Sequence, residues 1–414
     1  MSVRLTIESL GAQGDGVAQT ERGPVFVPFT LPGEVVNAAI ERDRATLMAV
    51  LEPSPLRVEP PCRHFGDCGG CSLQHLEDEA YRAFKVERVA APLRRERIDL
   101  ALGQLRSCTP DSRRRVVLSG KSAGAGVILG YHRMQSADIV DISECRIALP
   151  LIVAALPMLR ELATLVAQTT KPFHISVTAT STGLDVAFAD SGKLPDGIRR
   201  IAANFALREK IARLSIDGEI VVEPHKPVIH FGDVAVTPPP GGFLQAVKSA
   251  EENMVEIVSS HLAKAKRVAD LFAGSGAFSL RLARNSEVHA VEGEAAALAA
   301  LDRGFRFGTG LKRVTQEKRD LFRRPLTFKE LNEFDGVVFD PPRAGADDQS
   351  KQIARSDVPL VAAVSCNPTT LARDLGILID GGYTLKSVTP VDQFLWSPHV
   401  EAVALLEKPR KKRR

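Results

Sequence analysis

Four short apolar runs in the C-terminal half constrain the fold more than anything else in the chain. RVADLFAG, EVHAVEG, GVVFDPP and LVAAVSCNP each stay apolar for a few residues, then stop on Gly, Glu, Asp or Cys, with helical segments between them. From about residue 240 onward this rhythm predicts strand–helix–strand units and hence a doubly wound parallel sheet. In such sheets ligands bind beyond the carboxyl ends of the strands. The polar residues that interrupt these runs are therefore the first place to look for chemistry.

The preceding segments read differently. Residues 1–55 hold RLTIESL, VFVPFT, EVVNAAIE and TLMAVLE, separated by the turn-rich GAQGDG and LPGE. Four or five short strands in so little chain suggest a small OB-type β-barrel. PSPLRVEPPC then reads as an extended linker. Residues 56–235 mix strand and helix patterns, which fits an α+β domain with an antiparallel sheet. Its helical stretch near 76–105 is free to pack on the C-terminal domain, which is expected over 236–408, with a basic tail at 409–414. The fold class is thus α/β: a Rossmann-like C-terminal domain, an N-terminal barrel, and a central α+β domain that carries a cysteine cluster.

A chain of 414 residues can bury two or three cores. The net charge of +4 suits a nucleic-acid partner without proving one. Arg113–Arg115 and Arg410–Arg414 read as a solvated run and a solvated tail. No stretch reaches the roughly 18 apolar residues of a membrane span, and the N-terminus lacks the pattern of a signal peptide. A cytoplasmic protein with no membrane partner is expected, acting as a monomer.

The loop Asp270-Leu-Phe-Ala-Gly274-Ser-Gly276 follows one apolar strand and opens a helix, where backbone can pass close beneath a ligand. The next strand ends in Glu292, placed to accept hydrogen bonds from ribose hydroxyls. NAD and S-adenosylmethionine both satisfy this much. The third glycine of GxGxxG is absent, with Ser279 in its place, and a further strand ends in Asp340-Pro341-Pro342-Arg343. Both features favour S-adenosylmethionine.

Strand LVAAVS ends in Cys366-Asn367-Pro368, and a helix follows at once. A helix N-terminus is expected to lower the pKa of such a thiol. A thiolate is what methylation of uracil at C5 requires. Addition to C6 makes C5 nucleophilic, and a base must later remove the C5 proton. Glu401, in HVEAVALLEK, is a candidate base.

Six cysteines in a chain of this size do not suggest a disulfide framework. Cys62, Cys68 and Cys71 with the distant Cys145 supply four thiolates, which suit zinc or an iron–sulfur cluster. Three close ligands plus a remote fourth lean toward [4Fe–4S]. Cys108 matches no motif.

Here the residues carry a resemblance. CRHFGDCGGCSLQHL, GGFLQAVKSAEENM, DLFAGSGAFSLRLA, FDPPRAGA, SCNPTTLARDL and HVEAVALLEK, spanning 62–408, resemble in order the signature segments of the uracil-C5 RNA methyltransferase family. The N-terminal barrel resembles a TRAM domain. The resemblance implies Cys366 as nucleophile and Glu401 as proton-abstracting base. It implies Gln245, Phe272, Gly274, Gly276, Ala277, Glu292, Asp320 and Asp340 at the S-adenosylmethionine site, and a [4Fe–4S] cluster on Cys62, Cys68, Cys71 and Cys145. Two departures stand out: Ala277 replaces a polar residue often seen after the glycine loop, and Val247 replaces the Asn usual after FLQA. The implied substrate is structured RNA, ribosomal (23S) ahead of transfer RNA. The rival readings are a non-catalytic RNA-binding iron–sulfur protein and a DNA-base amino methyltransferase. The first has no need of a Cys366–Glu401 pair. The second usually carries an aromatic residue where Arg343 stands.

Overall fold

A computed structural model describes residues 2–124 and 126–409; the basic residues 410–414 lie outside the described residues. Three large sheets organise the chain, beside a two-stranded hairpin of Ile229–Phe231 and Val234–Val236. The first has six strands in the spatial order Ser2–Thr6, Val35–Glu41, Arg44–Glu52, Gly23–Val27, Gly16–Thr20, Ser9–Leu10. It curls on itself, so that just past the first strand Glu8 N–H donates to Val17 O at 2.8 Å. Two strands exceed expectation for local reasons. RLTIESL breaks into two strands, and the short GVAQT, too brief to stand out as a strand, pairs with neighbours on both sides. Glu34, fully buried, accepts from Arg57 through both carboxylate oxygens at 2.5 and 2.8 Å, which ties the linker to this sheet.

The central sheet has seven strands in the order Glu219–Val222, Arg213–Ile216, Gly183–Ala189, Phe173–Thr180, Arg115–Ala123, Gly126–His132, Ile139–Asp141. All neighbours run antiparallel except Gly183–Ala189 with Arg213–Ile216. Helices Leu156–Val166 and Asp196–Arg208 cover it, their apolar residues sharing one core with Val116, Leu118, Ile175 and Val186.

The third sheet also has seven strands. In chain order they are Arg267–Leu271, Glu287–Glu292, Val314–Lys318, Gly336–Phe339, Leu360–Ser365, Thr384–Val391 and Glu401–Glu407. In space they run third, second, first, fourth, fifth, seventh, sixth. The first five are parallel, and the seventh is antiparallel to both its neighbours. Strand order reverses between the first and fourth strands, which opens a crevice at their carboxyl ends.

Helix Asp78–Arg95 joins the outer part of the chain to this sheet. Tyr81, Lys85, Val89 and Leu93 recur every four residues and form its buried face. Val89 and Leu93 enter the same core as Leu371 and Leu375. Lys85, fully buried, pairs with the fully buried Asp392 at 2.9 Å and donates to the carbonyls of Phe394 and His399. Tyr81 OH donates to the other Asp392 oxygen at 2.5 Å and accepts from Trp396 N–H at 2.8 Å.

Candidate active site

The glycine loop turns sharply at the end of the first strand. Phe272, Gly274 and Gly276 have φ values of +62°, +53° and +98°. A Cβ on Gly276 would stand 2.9 Å from Leu301 Cγ, so this glycine is required by close packing. A Cβ on Gly274 would meet nothing within 4 Å and would fill open space in the crevice instead. Phe272 has no such excuse: a left-handed aromatic residue is strained, and strain of this kind collects at ligand sites. Glu292 braces the loop, accepting from Gly274 N–H at 3.0 Å and Glu294 N–H at 2.8 Å. Ser279, where a third glycine was expected, donates to the buried Asp270 at 2.5 Å. Burial pushes the Asp270 carboxyl up to about 7.

The crevice encloses about 650 Å³. Gln245, Phe272, Gly274, Ala277, Glu292, Asp320, Asp340, Cys366 and Glu401 all line it. Gly276 does not; its role is the turn. Ala277 faces the crevice without a polar group. Val247 is buried in the core, where it begins helix Lys248–His261 with no side-chain cap. An Asn there would cap the helix, and its loss costs about 1 kcal/mol, offset by the apolar packing.

Strand register brings Cys366 and Glu401 together. Ser365 pairs with Ala402 across antiparallel neighbours, so the residue after Ser365 and the residue before Ala402 fall side by side at the sheet edge. Asn367 shapes the corner. Its side chain accepts from Thr369 N–H at 3.2 Å and donates to Arg343 O at 2.9 Å, which locks the Cys366 corner to the Asp-Pro-Pro-Arg loop.

The electrostatics reverse one expectation. The Cys366 thiol is not lowered by the helix that follows; it is pushed up to about 11, first by burial, then by the charges of Glu401 and Asp340. Two carboxylates beside the sulfur outweigh a helix terminus whose first free amide is already capped by Asn367. Arg343 acts in the lowering direction. The same burial pushes Glu401 up to about 8, helped by the charge of Asp340, and Asp340 up to about 7. One Glu401 oxygen accepts from Gln393 Nε2 at 2.6 Å, and the other is buried with no partner.

The arginine run at 113–115 is a second correction. Arg114 is buried, donating to Glu251 at 2.6 Å and to Gln245 O at 3.1 Å. Arg115 donates to the carbonyls of Gly241 and Gly242. These side chains are struts that hold the Phe-Leu-Gln segment in the crevice wall. Phe243 and Phe322 also line the crevice while remaining exposed, at 69% and 49%. Sequence reading passed over both, and over Gln393, because an isolated Phe or Gln carries no pattern.

A second, far smaller cavity of about 20 Å³ lies in the central region. Cys62, Cys68, Cys71 and Cys145 all line it, and all are free thiols. The segment that carries the first three is pinned to the central sheet: Gly69 N–H donates to His132 O at 2.9 Å, and Arg63 N–H to Glu144 at 2.8 Å. Among the described residues no group of three or more His, Cys, Asp or Glu side chains forms a ready site for a single metal ion. Cys108 lies elsewhere, near Lys85 and Asp392.

A doubly wound sheet with this strand order, this glycine loop and acids at or just past the ends of the second, third and fourth strands (Glu292, Asp320 and Asp340) is the architecture of an S-adenosylmethionine-dependent methyltransferase. The model of the tRNA (Uracil-5-)-methyltransferase family matches residues 308–409, and that of the TRAM domain matches residues 2–47. An uncharacterized RNA methyltransferase of Mesorhizobium japonicum is 67% identical over 100% of both chains. The 23S rRNA (uracil(1939)-C(5))-methyltransferase RlmD of Halomonas elongata is 34% identical, over 99% of this chain and 90% of its own. The crystal structure of Pyrococcus abyssi tRNA (uracil-54, C5)-methyltransferase with S-adenosyl-L-homocysteine superposes with a TM-score of 0.77 at 24% identity, covering 97% of this chain and 99% of that one. The chain belongs to the RNA uracil-5-methyltransferase family. It is an enzyme with a TRAM domain at its N-terminus, and no helix among the described residues is long and apolar enough to cross a membrane.

Proposed function

We propose that this enzyme methylates C5 of a uridine in 23S ribosomal RNA through a covalent bond between Cys366 and C6, with Glu401 removing the C5 proton. One observation carries the reading: strand register sets a thiol and a carboxylate with a free oxygen side by side in the same crevice as the glycine loop. S-adenosylmethionine supplies an electrophilic methyl when bound. The residues fit it: open space above Gly274 admits a ligand, Glu292 offers acceptors for ribose, and Asp320, Asp340, Gln245 and Phe272 line the remainder. The uridine must leave its stack, because C6 is attacked from the ring face. Cys366 Sγ bonds to C6, and C5 gains nucleophilic character and takes the methyl. Glu401 accepts the C5 proton, and the C6–S bond breaks to return the thiolate. Burial holds Cys366 and Glu401 toward their neutral forms, so each must first give its proton to solvent: Cys366 to attack C6, and Glu401 to accept the C5 proton.

A relative named for ribosomal RNA, alike over nearly the whole chain, favours that substrate over transfer RNA. The three large sheets support three domains divided near residues 55 and 235; the proposed enzyme is monomeric and cytoplasmic. Four thiols reaching one small cavity support a [4Fe–4S] cluster on Cys62, Cys68, Cys71 and Cys145. Such a cluster would cross-link the linker segment to the central sheet. Protein purified without air should contain iron and sulfide near four each per chain; stoichiometric zinc would exclude the cluster. The decisive test of the chemistry is 5-fluorouridine RNA on a denaturing gel. A covalent enzyme–RNA band is expected, and its absence would reject the covalent route. Methyl transfer into transfer RNA but not 23S RNA from a deletion strain would reassign the substrate.

A further inference from the structure

We infer that Gln393 is a positioning residue for proton abstraction, fixing one oxygen of Glu401 through a one-way chain of amides and leaving the other free for the C5 proton. The inference rests on the proposed role of Glu401 and adds a residue outside every motif.

The direction of the chain follows from one backbone group. Ala246 N–H can only donate, and it meets the side-chain oxygen of Gln393 at 3.1 Å. The other end of that amide must therefore be nitrogen. Its two hydrogens have two acceptors: Gln245 Oε1 at 2.7 Å and Glu401 Oε1 at 2.6 Å. Gln245 in turn has its oxygen occupied, so its nitrogen faces outward and donates to Asp340 Oδ2 at 3.0 Å. Neither amide can flip without setting like against like in a buried place, since Gln245 and Gln393 are only 5% and 3% exposed.

The consequence falls on Glu401. One oxygen is tied to Gln393, and the other is buried, without a partner, in a residue that lines the crevice. A carboxylate with one oxygen tethered and one bare presents a defined lone pair to an incoming proton. The tether is itself held still. Asp392, next in the chain, is clamped by Lys85 and Tyr81 from helix Asp78–Arg95. The chain also joins the base to Asp340 through two neutral amides.

The test separates positioning from folding. Wild type, Gln393→Leu, Gln393→Glu and Glu401→Gln are each mixed with natural RNA and S-adenosylmethionine, and methylated covalent adduct is quantified beside turnover. For Gln393→Leu, turnover falls by about 10- to 100-fold while adduct accumulates above wild type, because methyl transfer proceeds and proton removal lags. Gln393→Glu keeps the shape but sets an acid against Glu401, so the rising limb of its pH–rate profile moves to higher pH. A merely structural role would depress adduct and turnover together and leave that limb in place. Should Gln393→Leu misfold, the Gln393→Glu profile decides alone. If Glu401→Gln traps adduct and neither Gln393 variant shows its expected signature, the inference falls and the base assignment stands. If Glu401→Gln traps none, both fall.

Discussion

The crevice around Cys366 and the cavity around Cys71 both hold thiols that burial pushes toward their neutral form, yet they are built for different occupants. Cys366, one strand away from where the parallel sheet reverses its strand order, opens into about 650 Å³ with two carboxylates beside it. Cys71, pushed up to about 12, shares about 20 Å³ with three other thiols, between a loop and the rim of an antiparallel sheet. Space for large ligands beside acids makes a place where bonds are exchanged. A tight space ringed by sulfur makes a place where something compact is held. Burial alone tells neither apart; the neighbours do.

That contrast is sharpest at Cys366, the proposed nucleophile. Cys366→Ala is expected to lower methylation by at least about 1,000-fold, while S-adenosylmethionine affinity by calorimetry stays within about twofold. Residual activity within about tenfold of wild type would make Cys366 a packed thiol like its distant counterparts. Glu401→Gln should slow turnover by about 100-fold or more and leave a persistent enzyme–RNA adduct on a denaturing gel; normal turnover would remove its role. The pH profile extends the comparison. Glu401, raised to about 8, must be ionised to accept a proton, and Cys366 must be ionised to attack. Both forms grow with pH, so kcat/KM should rise by about a hundredfold per unit below pH 8 and by about tenfold per unit above it, where Glu401 has completed its titration and Cys366 has not. A rate that falls across this range would contradict the base. In the other cavity, the proposed [4Fe–4S] cluster predicts that Cys71→Ser releases iron and costs about tenfold in turnover, with S-adenosylmethionine affinity unchanged. Loss of cofactor binding would mean that the two places are not independent. The smallest effect is expected at their junction. Tyr81→Phe removes two buried hydrogen bonds and should cost about 1–3 kcal/mol by thermal unfolding, with turnover within about threefold.

The parallel sheet was legible because apolar runs ending in chemistry follow from its geometry, and Gly274, Glu292, Asp340 and Cys366 could be placed before any coordinates. The TRAM region was readable as strands, but GVAQT was not, since it is too brief to stand out as a strand. Arg113–Arg115 looked like a solvated run, and only tertiary packing turns Arg114 and Arg115 inward to hold carbonyls and Glu251. The thiol was misjudged for a related reason. A helix terminus is visible in sequence, whereas the carboxylates beside Cys366 arrive from two other strands. Gln393 was invisible because its importance lies in which way an amide faces.

The Lys85–Asp392 pair bears on how such enzymes can exchange parts by recombination. Its two members are 307 positions apart, on either side of the boundary near residue 235, and both are fully buried. A crossover between diverged relatives anywhere in that interval would pass on one without the other wherever the parents differ. A lone ammonium or carboxylate stranded there costs about 3–5 kcal/mol, a large share of the stability of an ordinary domain. The catalytic half is therefore not a cassette that moves freely between scaffolds: viable hybrids must inherit helix Asp78–Arg95 and the loop it grips as a single heritable unit.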